Sequence, residues 1–90
     1  MARLPLAILT VAAALLAATA ARAADPAAGK AEFQKTCSNC HDLADWKGKS
    51  EAQLEGMIKN VVAGKTKHPR KLALSDAQIA DIATWASSGG

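Results

Sequence analysis

Three stretches of this chain space their apolar residues with the period of a helix, and a fourth is apolar almost throughout. The fourth comes first: Leu4 to Ala21 carries no charged residue. After it, Asp25-Pro26 reads as an N-cap followed by proline at the first helical position. It predicts a helix to about Cys37, with Ala27, Ala31 and Phe33 among its apolar positions. Ser50-Glu51-Ala52-Gln53 is a capping box, predicting a helix to about Ala63 that stops at Gly64. Leu54, Met57, Ile58, Val61 and Val62 follow at i, i+3, i+4, i+7 and i+8, one face of that helix. Ser75-Asp76-Ala77-Gln78 is a second capping box, and Ile79, Ile82, Ala83 and Ala86 form the stripe of a third helix. His41 to Lys49 reads as polar and irregular, with Trp46 its one large apolar residue. Lys65 to Leu72 reads as a basic loop, and Ser87 to Gly90 as a tail. No run alternates with the period of a strand, and there is no internal repeat. The expected fold class is all-α, one domain with three main helices.

The opening run changes what counts as the folded protein. Met1-Ala2-Arg3 precedes it, and Ala21-Arg22-Ala23 supplies the small-x-small pattern of a signal peptidase site. Residues 1–23 are read as a signal peptide and 24–90 as the mature domain, so removing 23 of the 90 residues leaves 67. The competing reading is an uncleaved membrane anchor through residues 4–21; alanine richness and the cleavage pattern favour removal, export to the periplasm and no stable membrane insertion afterwards. The precursor's formal charge is +3, but Arg3 and Arg22 are two of its eleven basic residues. Nine bases against eight acids leave +1 on the mature chain, which is not a nucleic-acid-binding profile. The distribution says more: Lys65, Lys67, Arg70 and Lys71 form a run with no acid between Glu55 and Asp76.

A domain this small buries too little surface to be comfortably stable without a staple, and Phe33, Trp46 and Trp85 are its only aromatic residues. The candidate staple lies at Cys37-Ser38-Asn39-Cys40-His41, a single C-x-x-C-H, the attachment signature of c-type haem. Thiols about one helical turn apart reach the same side of a porphyrin and add to its two vinyl groups, and the histidine that follows serves as the proximal iron ligand. Three other readings compete. Half of a zinc site needs further Cys or His donors, and the chain offers only two cysteines and, beyond His41, only His68. A thioredoxin-like redox pair needs a strand context that the pattern lacks. A structural disulfide suits an exported protein but leaves His41 without a role. Haem is therefore the cofactor expected, and the chain without it is expected to fold poorly.

The motif, together with Gly29-Lys30-Ala31-Glu32-Phe33 before it and Leu74-Ser75-Asp76-Ala77-Gln78-Ile79 after it, resembles the class I cytochrome c family over roughly Asp25 to Ser88. The resemblance implies a small monohaem fold, three main helices around a covalently attached haem c. It also implies a close crossing of the first and last helices at Gly29, with Trp85 meeting Phe33 and Gly29. A tolerated glycine near a fraying helix end is the other account of Gly29. Where the family carries a proline whose carbonyl orients the proximal histidine, this chain has none between Pro26 and Pro69, so the acceptor for His41 is left open. Trp46 has two readings of similar weight, cover for a haem edge or indole partner for a propionate on one side, and plain loop packing on the other.

The second axial position decides the function. Met57 lies in an apolar helical stripe, where core packing is the main expectation and iron ligation the lesser one. His68 lies on a loop 27 residues after His41 and precedes Pro69. The resembling family places methionine and proline there, so His68 is the favoured distal ligand of a bis-histidine variant, with a lower potential than a His/Met haem. An exposed loop histidine and a displaceable ligand remain alternatives. No nucleophile–base arrangement points to an enzyme. The expected function is single-electron transfer between periplasmic or membrane redox partners; the run Lys65, Lys67, Arg70 and Lys71 reads either as their docking rim or, equally, as a solvated loop. Two competing roles are a haem-based sensor of small gas molecules and an electron-entry subunit of a larger redox enzyme.

Overall fold

A computed structural model describes residues 23–90; the signal peptide and the anchor read from residues 4–21 lie outside them. The described residues form three α-helices and one short 3-10 helix, with no strand among them: α1 (Pro26–Thr36), the 3-10 helix (Leu43–Trp46), α2 (Glu51–Val62) and α3 (Asp76–Ser87). None of the described helices is long and apolar enough to cross a membrane.

Each helix begins where a side chain satisfies its unpaired amides. Asp25 Oδ1 accepts from Ala27 N–H at 3.0 Å and Ala28 N–H at 3.3 Å at the head of α1. Ser50 Oγ accepts from Gln53 N–H at 3.1 Å while Gln53 Oε1 accepts from Ser50 N–H at 2.8 Å, and Ser75 and Gln78 repeat the pair at the same two distances. Each such cap contributes about 1 kcal/mol. The end of α2 is a Schellman motif: Lys65 N–H donates to Asn60 O at 2.8 Å and Gly64 N–H to Val61 O at 3.1 Å. Gly64 holds φ 75° there, in the left-handed region that favours glycine. The chain is turned sharply into the basic loop.

The core is centred on α3, which packs against both α1 and α2. Its stripe of Ile79, Ile82, Ala83 and Ala86 is buried as its spacing requires. On α1 the buried positions are Gly29 and Phe33, with Cys37 in line one turn on. Ala27 and Ala31 are exposed. The inward line is i, i+4, i+8 from Gly29, and the small alanines lie off it. Gly29 lies against the Asp81 carbonyl and the Ile82 N–H group, so a Cβ would collide with the α3 backbone. Its neighbours are thus backbone atoms one turn before Trp85. Trp85 itself meets Phe33, ring centroids 5.1 Å apart at 50°. Beside that crossing, the buried Asp81 carboxylate accepts from Asp25 N–H at 2.7 Å, tying the head of α1 to α3.

Two expectations are corrected. The segment after His41 is not irregular throughout: Leu43–Trp46 is a 3-10 helix, held where Asp45 Oδ2 accepts from Asp42 N–H at 3.1 Å. Met57 is not packed in the core. It is 41% exposed, because α3 covers the Leu54 side of α2 and leaves Met57 beside an open cleft.

The crossing predicts opposite signs for two glycine-to-alanine changes. Alanine normally gains about 1 kcal/mol over glycine inside a helix. Gly56→Ala, where nothing lies within 4 Å of the new methyl, should stabilise by up to that amount. Gly29→Ala should destabilise by about 1–3 kcal/mol through overpacking. Thermal melts of the two variants check it, and a rise in both would mean that α1 and α3 do not cross as described.

Candidate functional site

The open cleft lies between the end of α1, the exposed side of α2 and the loop that leads to α3. Thr36, Cys37, Cys40 and His41 line it from the first segment, and Trp46 from the 3-10 helix. Leu54, Met57, Ile58 and Val61 come from α2, and His68, Arg70 and Leu72 from the loop. Its cavity volume is about 200 Å³, or about 830 Å³ of empty space when the open mouth is counted. Its exposed surface is almost wholly apolar.

The C-x-x-C-H segment continues the course of α1 for one more turn. Cys37 N–H donates to Phe33 O at 2.8 Å, Cys40 N–H to Cys37 O at 3.2 Å, and His41 N–H to Cys37 O at 3.0 Å. Residues four apart on such a turn share a side, which is why Cys37 and His41 both reach the cleft. Cys37 and Cys40 form no disulfide; the first is buried and the second exposed. Burial pushes the Cys37 thiol above its ordinary range, and the Glu32 carboxylate adds to the shift.

His68 arrives from the other side. Its Nδ1 lies 2.6 Å from Arg70 O. With the ring proton on Nδ1 it donates to that carbonyl, and Nε2 is then the nitrogen left to bind a metal. The Arg70 N–H also faces this nitrogen, at a longer 3.3 Å. His41 and His68 form a stacked pair in the cleft, ring centroids 6.2 Å apart and planes inclined by 25°. Both rings line the cleft, so each is placed to offer a nitrogen to a group bound there. His41 is also flanked by Trp46, ring centroids 5.8 Å apart, and Trp46 in turn sets its edge against Phe33 at 5.3 Å.

What the site lacks narrows its chemistry. No group of three or more His, Cys, Asp or Glu residues among those described could hold a metal ion, so a protein-only zinc site does not fit. His41 and His68 offer two imidazoles, so a metal held here would need its remaining ligands from outside the described residues. An apolar cleft with two thiols on one wall suits a flat, apolar, metal-centred ring.

The residues singled out in the sequence, Cys37, Cys40, His41, His68 and Met57, thus line one cleft. Of the basic run, Arg70 lines the cleft, and Lys65, Lys67 and Lys71 are exposed on the same loop. Sequence reasoning missed two partners. The Arg70 carbonyl is a backbone group and left no trace in the residue pattern. The Asp45 carboxylate, 3.9 Å from His41 Nδ1, did leave one, since it lies four residues after the histidine. Comparison with family models, with curated proteins and with solved structures finds no match to this chain.

Proposed function

We propose that the protein carries one haem c in this cleft and works as an exported, monohaem electron carrier of the class I cytochrome c type. The observation that carries the proposal is the pair His41 and His68, centroids 6.2 Å apart across an apolar cleft that Cys37 and Cys40 also line. When bound, the haem supplies a one-electron iron couple. The chain's own residues do the rest. Cys37 and Cys40 anchor the ring through thioethers, which fixes it on the wall formed by the end of α1. His41 and His68 would hold its iron, the second with Nδ1 beside the Arg70 carbonyl. Leu54, Ile58, Val61 and Leu72 keep water from the cleft. Were both histidines to bind the iron, no open coordination site would be left for a substrate, which favours electron transport over catalysis. Residues 24–90 form the carrier, released into the periplasm once residues 1–23 are removed.

Lys65, Lys67 and Lys71 are exposed on the loop that bears His68, and Arg70 reaches the cleft itself. This basic rim is the proposed docking surface for an acidic redox partner, which it would steer to the haem edge.

Two experiments test these assignments. The oxidised protein should be low-spin and, when reduced, indifferent to carbon monoxide. His68→Ala should become high-spin and bind carbon monoxide readily, while Met57→Leu should keep the parent spectrum. Opening of the iron by Met57→Leu but not by His68→Ala would reassign the distal ligand, and ready carbon monoxide binding by the unmutated protein would favour a gas sensor. For the rim, the double change Lys67→Glu and Lys71→Glu should slow association with a negatively charged redox partner by about tenfold or more at low salt. Its spectrum should not change; rates indifferent to both charge reversal and salt would remove the rim from the account.

A further inference from the structure

The two imidazoles that face the cleft are backed by different groups. An imidazole that binds iron through Nε2 carries its remaining proton on Nδ1, and the acceptor of that proton orients the ring and sets how strongly it donates to the metal. Behind His68 the acceptor is a neutral carbonyl, Arg70 O at 2.6 Å. Behind His41 the nearby group is a carboxylate, beyond hydrogen-bond distance: Asp45 Oδ2 lies 3.9 Å from Nδ1.

The carboxylate is held in place by the backbone around it. Its Oδ2 accepts from Asp42 N–H at 3.1 Å, and Asp45 N–H donates to Asp42 O at 3.0 Å. These two bonds close the turn that opens the 3-10 helix and aim the carboxylate at the ring one turn after His41. Trp46, next in the chain, lies against the same imidazole with centroids 5.8 Å apart, which limits how far the ring can swing. The separation of 3.9 Å is about 1 Å beyond a hydrogen bond and within reach of a small tilt of either side chain.

The geometry points to Asp45 as the positioning residue of His41, an anionic acceptor that makes the proximal imidazole a stronger donor and so favours the ferric over the ferrous iron. The inference rests on the haem reading given above. It assigns to a side chain of the 3-10 helix the task of orienting the proximal histidine, and it makes the two axial ligands unequal: one backed by a charge, the other by a dipole. The couple it tunes exchanges one electron with the redox partner and involves no proton and no other atom.

Asp45 is 54% exposed on its side chain, so water screens its charge and the effect is moderate. Potentiometric titration of the haem-loaded protein tests it, comparing the parent with Asp45→Asn, Asp45→Glu and Asp42→Asn. Asp45→Asn should raise the midpoint potential, weakening the preference for ferric iron by about threefold to tenfold, where tenfold is 59 mV for one electron. Asp45→Glu, which keeps the anion on a longer stem, should recover part of the shift. Asp42→Asn removes an equal charge from the residue beside His41 and should move the potential less. Equal shifts in Asp45→Asn and Asp42→Asn would reduce the effect to general charge, and an unmoved potential in Asp45→Asn would remove Asp45 from the ligand's support. Either result would leave the haem reading intact. Loss of that reading has a different signature, a parent protein without covalent, low-spin haem.

Discussion

The contact on which the rest depends is the close approach of α1 to α3 at Gly29. With no side chain at that position, the helix backbone rests on the Asp81 carbonyl and the Ile82 N–H group. The buried Asp81 carboxylate holds the Asp25 N–H beside it. Once α1 is seated there, Phe33 is fixed one turn further on, between Trp85 and Trp46. Cys37 follows another turn on and His41 another. The cysteine–histidine segment is placed at the cleft by the packing of residues that take no part in the cleft's chemistry.

The second wall is placed by the end of α2. The Schellman motif at Gly64 closes that helix and directs the chain into the loop that carries His68 back toward His41. From there the capping box at Ser75 starts α3, whose stripe completes the core. The packed face of each helix is thus engaged by α3, while the other side of α2 is left as the apolar lining of a cleft. In so small a domain, that uncovered surface is the feature a bound ring would repair.

Much of this was legible in the sequence because it rests on local rules. Both capping boxes, the Asp25-Pro26 start, the stop at Gly64 and the Ile79, Ile82, Ala83, Ala86 stripe are short-range patterns, and each lies where its chemistry requires. The spacing of Cys37, Cys40 and His41 also carries its own geometry, because it spans one turn. What was not legible depends on contacts between distant segments. Ala27 and Ala31 share the apolar character of Phe33, and only the crossing at Gly29 decides which of them faces inward. Met57 fits the α2 stripe as well as Leu54 does, but α3 covers only the Leu54 side. The 3-10 helix has no long periodic signature, and the Arg70 carbonyl has none at all.

The central claim is that Cys37 and Cys40 are bonded to one haem in the exported protein. The most direct measurement is the intact mass of protein recovered from the exported fraction, taken in acid and organic solvent that strip haem held only by its ligands. The account predicts the mass of residues 24–90 plus one haem, with no haem released into the solvent. A mass equal to the bare polypeptide, with free thiols or a disulfide at Cys37 and Cys40, would contradict it.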